Sequence, residues 1–132
     1  MNNENEYFGL NVCEHGVTGD GKTDDASAIQ SLLDSSNDLL YFPPGQYKIG
    51  QTLRLPSNTR IQAHQAAHFW LAEGAGKDVN TFLLSNSHWE EGNSNIRIQG
   101  GMWDGNCAAN PRGQEDDRQA FTGVMLNFRN IR

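Results

Sequence analysis

The chain's readable pattern opens with a short apolar run over residues 8–12, which predicts a strand. Gly16, Gly19 and Gly21 follow within a few residues, and predict a tight loop. Thr23, Asp24 and Asp25 are cap-type residues, and Ala28, Ile29, Leu32 and Leu33 form one apolar stripe at helical spacing. Together they predict a helix over residues 23–33, its acids in the first turn where the helix dipole favours them. Beyond it the period changes. Short apolar runs at 39–42, 47–49, 52–55, 59–63, 69–71, 81–84, 96–98 and 124–128 predict strands. Pro43-Pro44-Gly45, Gly50 and Pro56 stop several of them. The longest loop, 104–120, is polar and carries Asp104, Glu115, Asp116 and Asp117 against Arg112 and Arg118.

One short block repeats. Ser57-Asn58-Thr59-Arg60-Ile61-Gln62-Ala63 and Ser94-Asn95-Ile96-Arg97-Ile98-Gln99-Gly100 are identical at five of seven positions, and Asn130-Ile131-Arg132 matches Asn95-Ile96-Arg97. Asn at the head of each copy suits a turn, and the Arg/Ile alternation suits a strand with one face inward. Self-similar strands joined by unequal loops are what a solenoid requires. The spacing, roughly 36 residues, is long for one turn of a β-helix unless loops are inserted. The third copy breaks off at Arg132, which predicts an open apolar rung, a longer natural chain, and self-association through that edge.

Composition narrows the class. The 132 residues suffice for one domain with a modest core, and 14 glycines with a mean hydropathy of −0.66 fit a polar, mainly β chain. A net charge of −6 and a pI near 5.0 argue against nucleic acid or an anionic membrane as partner, since both need clustered Lys and Arg. No apolar stretch is long enough to span a membrane. The acidic, polar first six residues are no signal peptide, which leaves an intracellular protein or a secreted one whose signal is not in this chain. Cys13 and Cys107 lack metal-ligand spacing and read as two unpaired thiols, a disulfide remaining open for a secreted protein.

Three blocks, in order, carry a family resemblance. The stretch Asn11-Val12-Cys13-Glu14-His15-Gly16-Val17-Thr18-Gly19-Asp20-Gly21-Lys22-Thr23-Asp24-Asp25-Ala26-Ser27-Ala28-Ile29-Gln30 resembles the opening of polygalacturonases and related proteins of the pectate lyase superfamily. Tyr41-Phe42-Pro43-Pro44-Gly45-Gln46-Tyr47 and Gly101-Met102-Trp103-Asp104-Gly105-Asn106 are similar to two later signatures of the same proteins. The resemblance implies a mainly β, right-handed parallel β-helix with an N-terminal capping α-helix, truncated after its first few rungs. It divides the single domain into residues 1–37 (strand, Gly-rich loop, capping helix) and 38–132 (first rungs, with the long loop at 104–120). It also implies a glycoside hydrolase acting on pectin-like polysaccharide. A non-catalytic, tailspike-like glycan-binding β-helix is the alternative.

Hydrolysis of a glycoside needs two carboxylates, one to protonate the leaving oxygen and one to activate water or attack. No such set stands in context: Asp24-Asp25 opens a helix, Asp116-Asp117 lies in a loop, and His15-Gly16 precedes the cap. The chain alone is therefore expected to be inactive, with no catalytic residue of its own, no cofactor and no metal. An EF-hand over 20–25 fails because Lys22 and Asp25 occupy positions needing an oxygen ligand and a glycine. His15, His64, His68 and His88 have no zinc spacing. Gly16-x-x-x-x-Gly21-Lys22-Thr23 matches a phosphate-binding loop, the remote alternative of a nucleotide-binding protein. Asp20, Asp24 and Asp25 put negative charge where phosphate would sit, and the strand–helix alternation of such folds is missing after Leu33. Of the tryptophans, Trp70 reads as core. Trp103 and Asp104, at the mouth of the long loop, and Arg112 within it are the candidate contacts to a polysaccharide or oligosaccharide, Arg112 pairing with a uronate carboxylate.

Overall fold

The computed structural model describes residues 9–76, 81–110 and 125–132. Strand β1 (Leu10–Asn11) runs into a 3-10 turn over Val12–Glu14, then β2 (Asp20–Asp24) and the helix α1 (Ala26–Ser35). Strands β3 (Leu40–Phe42), β4 (Gly45–Ile49), β5 (Leu53–Leu55), β6 (Arg60–Leu71), β7 (Leu84–Asn86), β8 (Arg97–Asp104) and β9 (Leu126–Asn127) follow. All their pairings are parallel. One sheet has the order β1-β3-β6-β4-β2 with β8 also on β6, and a second has the order β5-β7-β9. The fold is thus mainly β, with one α-helix among the described residues and a curled, parallel, β-helix-like sheet.

The curl has a local cause. The first part of β6 pairs with β3 (Leu40↔Ile61 to Phe42↔Ala63) and its last part with β4 (Gly45↔Ala67 to Ile49↔Leu71). The two runs expected at 59–63 and 69–71 are therefore one bent strand, whose exposed residues 64–66 make the corner. Pro43-Pro44 turns the same corner between β3 and β4. Gly100 and Gly101, both at φ 79°, turn it in β8. A side chain at Gly100 would bring its Cβ to 2.0 Å from the Ala63 carbonyl oxygen, so only glycine permits that close stacking.

Inside the curl, residues from alternate strand positions fill the core. Tyr47, Ile49, Leu53, Leu55, Ala67, Phe69, Leu71 and Leu84 are all at most 1% exposed. Helix α1 covers one side with Ala26, Ile29 and Leu33 buried. It is pinned to β5 by Gln30, whose side chain accepts from Arg54 N (2.9 Å) and donates to Arg54 O (2.8 Å).

The helix begins later than its sequence suggests, and the Gly-rich segment ahead of it is partly strand. Asp24 and Asp25 precede the helix because their carboxylates are engaged by backbone amides. Asp25, 1% exposed, accepts from Thr18 N (2.9 Å), Thr18 Oγ1 (3.0 Å) and Gly19 N (2.9 Å). Asp24 accepts from Ala26 N (3.0 Å) and Gly50 N (2.9 Å). Asp20 accepts from Lys22 N, Thr23 N and Thr23 Oγ1. These bonds, the two backbone amides foremost, hold its carboxyl well below the usual range. The amides a phosphate would need are thus bound to a fixed anion, which removes the nucleotide-loop reading.

The internal repeat is the rung-to-rung contact. Arg60, Ile61, Gln62 and Ala63 lie beside Arg97, Ile98, Gln99 and Gly100. Asn58 and Asn95 both take left-handed backbone (φ 68° and 61°), and Asn95 Nδ2 donates to Asn58 Oδ1 at 3.1 Å. Asn130 shares the conformation (φ 56°), but the third copy departs in register, with Ile131 bridging Asn93. Buried Asn86 decides this, accepting from Arg129 N (2.8 Å) and donating to Arg129 O (2.8 Å).

Candidate functional site

The outer face of β2, β4, β6 and β8 gathers polar and aromatic side chains on a rigid floor. Phe69 and Leu71 point inward, so His68 and Trp70 point outward, each half-buried. Strand register then sets two columns across the sheet. One runs Asp20, Gln46, His68, Met102 and the other Asp24, Lys48, Trp70, Asp104. His68 ties them together. Its Nδ1 lies 3.0 Å from Gln46 Oε1, and its Nε2 3.3 Å from Asp104 Oδ2, a carboxylate that accepts from the ring N–H. Asp104 Oδ1 accepts from Asn106 N at 2.8 Å, so the same side chain closes its own turn and orients the histidine.

Trp103 and Trp70 exchange the positions their sequence context suggests. Trp103 points inward and stacks on Phe69, with ring centres 3.9 Å apart and planes 6° apart, and Phe69 stacks on Tyr47 at 4.9 Å. Its indole N–H donates to Gly100 O at 2.9 Å. Trp70, expected in the core, instead presents its ring on the outer face between Lys48 and Asp104. The alternation Ala67, Phe69, Leu71 inward is the signal that could have found it. Trp89 is held in place, donating to Ser85 Oγ at 2.8 Å with the Arg129 guanidinium 3.7 Å from its ring centre. Arg112 and most of the loop 104–120 lie outside the described residues, and nothing is said of the Cys107 side chain. Cys13 is exposed, its Sγ 3.7 Å from the Tyr47 hydroxyl.

The carboxylates of this face are not placed as a glycosidase pair. Asp24 and Asp104 are separated by three strand spacings, roughly 14 Å. Acid and base or nucleophile stand only about 5–10 Å apart in glycosidases. Asp20 and Asp24 are nearer each other, but both are occupied by backbone amides, and Asp20 is held ionised, the wrong form for a proton donor. A concavity of about 580 Å³ on another side, lined by Gln30, Asp34, Gly50, Gln51, Thr52, Arg54, Ala75, Thr81 and Ser87, is polar. It has no aromatic ring in that lining for a sugar to stack on, so the Trp70 face is the better candidate.

A curled parallel sheet with a helix ahead of it defines a β-helix-like class. The chain belongs to the family described as rhamnogalacturonase A/epimerase, pectate lyase-like, which matches residues 9–107. It is 35% identical over 115 residues to the pre-neck appendage protein of Bacillus phage B103, covering 79% of this chain and 12% of that protein. The crystal structure of the bacteriophage phi29 gene product 12 N-terminal fragment superimposes with a TM-score of 0.75 at 27% identity, over 97% of this chain and 22% of that one. A probable glucan endo-1,3-β-glucosidase of Arthroderma benhamiae is 44% identical over 54 residues, 39% of this chain and 6% of that protein. The chain thus spans a minor part of each relative.

Proposed function

We propose that this chain is part of a glycan-binding, appendage-type β-helix protein, and that it binds polysaccharide without cleaving it. The observation that carries this is the outer face, where Trp70 offers a ring and Gln46, His68, Lys48 and Asp104 surround it with donors and acceptors. A sugar ring needs both, an apolar platform for its C–H face and polar groups for its hydroxyls. The likeness to phage appendage proteins favours a binding role. The pectate lyase-like family and the partial likeness to a glucan endo-1,3-β-glucosidase favour a carbohydrate as what is bound, and a carbohydrate-active whole protein. Cleavage of a pectin-like polymer would then rest on carboxylates other than those of this face. Screening the chain on immobilised polysaccharides, with a reducing-end assay beside it, tests the reading. Binding without release of reducing ends is expected. Release of reducing ends from polygalacturonate, or no retention on any polysaccharide, would sink it.

A further inference from the structure

We infer that the Trp70 face takes a neutral, β-linked glucan-type polymer and rejects polyuronates such as pectin, an inference that rests on the glycan-binding reading above. The argument is the order of charges across the sheet. In the column Asp24, Lys48, Trp70, Asp104, carboxylates stand at both ends and a single ammonium lies between them. In the neighbouring column Asp20 is the one carboxylate, and Lys22 sits exposed in the adjoining bulge of β2. Three carboxylates thus face Lys48 and Lys22, within a chain whose net charge is −6.

A polymer lying over Trp70 and running across the strands passes Asp24 on one side and Asp104 on the other, each about one or two strand spacings away. Those distances are on the order of the Debye length at physiological salt, so neither carboxylate is screened out. A polyuronate carries a carboxylate on every ring, and each approach to an Asp costs up to about 1 kcal/mol in a water-like medium. The hydrogen-bonding row points the same way. Asp104 only accepts and Lys48 only donates, while Gln46 does both. Hydroxyl groups, which donate and accept, satisfy such a mixed set, and a carboxylate, which only accepts, does not. A pyranose with equatorial hydroxyls also leaves a C–H face bare for the Trp70 ring, the geometry of a β-linked glucan.

Titration calorimetry of the 132-residue chain with laminarihexaose and with hexagalacturonate, each at low salt and at roughly 0.5 M NaCl, separates the outcomes. Laminarihexaose is expected to bind at least about tenfold more tightly than hexagalacturonate, with affinity nearly independent of salt. Trp70→Ala should lose about tenfold or more of it, and Trp70→Tyr, which keeps a stacking ring, should retain most. Near-ultraviolet circular dichroism checks that both variants keep their packing. Asp104→Asn should narrow the gap by raising affinity for hexagalacturonate. Hexagalacturonate binding as tightly as laminarihexaose, with affinity that falls in salt, would overturn the inference and leave the glycan-binding reading standing. Retention on polysaccharides with no loss in Trp70→Ala would overturn the assignment of the ligand to this face. Failure to bind any glycan would remove both.

Discussion

At the scale of single residues, two tryptophans on neighbouring strands have opposite duties. Trp103 extends the inner column of Tyr47 and Phe69 and satisfies its N–H on Gly100 O. Trp70, one position past Phe69, is turned outward by the strand's alternation. Truncating a fully buried aromatic costs about 3–5 kcal/mol, and Trp103 is only partly covered, so Trp103→Ala should cost about 2 kcal/mol. Trp70→Ala should cost well under about 1 kcal/mol, as surface substitutions do. Urea unfolding of the two variants checks this, and equal losses would contradict the inward–outward assignment. Asp104 sits between these roles, since one carboxylate oxygen accepts from Asn106 N and the other engages His68.

At the scale of elements, the segment ahead of the helix and the strands beside it are joined by buried polar groups. The Tyr47 hydroxyl donates to Pro43 O at 2.6 Å, across the Pro-Pro-Gly corner. Burial, foremost, then the Cys13 thiol and the Asp25 carboxylate nearby, raise the Tyr47 phenol above its ordinary value near 10. The raised value favours the neutral phenol in the folded state. Its contribution is complete below the unfolded value and is lost as pH rises above it, because the unfolded phenol ionises first. Stability should therefore fall above about pH 10 by up to about 1.4 kcal/mol per pH unit more than in Tyr47→Phe. That variant should itself be about 1 kcal/mol weaker at neutral pH, for want of the Pro43 bond. Denaturant titrations at stepped pH would show it, and parallel curves for both proteins would refute it. The helix period was legible in Ala28, Ile29, Leu32 and Leu33, but its start was not. Asp24 and Asp25 read as first-turn acids until their partners, Gly50 and the Thr18-Gly19 turn, are known.

At the scale of the whole molecule, the curl leaves apolar side chains on its last coil. Ile96, Ile98, Phe128 and Ile131 line a cleft of about 240 Å³, and Phe128 and Ile131 are exposed. Clustered exposed apolar groups of this kind are association surfaces. The 132-residue chain should self-associate with rising concentration, and Ile131→Lys should weaken that. Light scattering that reports a monomer at millimolar concentration would refute it. By itself the sequence determined the helix at Ala26–Ser35, the short-strand character and the repeat of the Ser-Asn-x-Arg-Ile-Gln block. The first two follow from local period, and the third from the identity of two blocks that can meet in register. The tertiary structure alone decided that residues 60–71 are one bent strand, that the third repeat shifts to meet Asn93 under the hold of Asn86, and which tryptophan faces outward. Each depends on which coil lies next to which. Parallel pairing joins residues far apart in the chain, so their fit is fixed by packing rather than by local pattern.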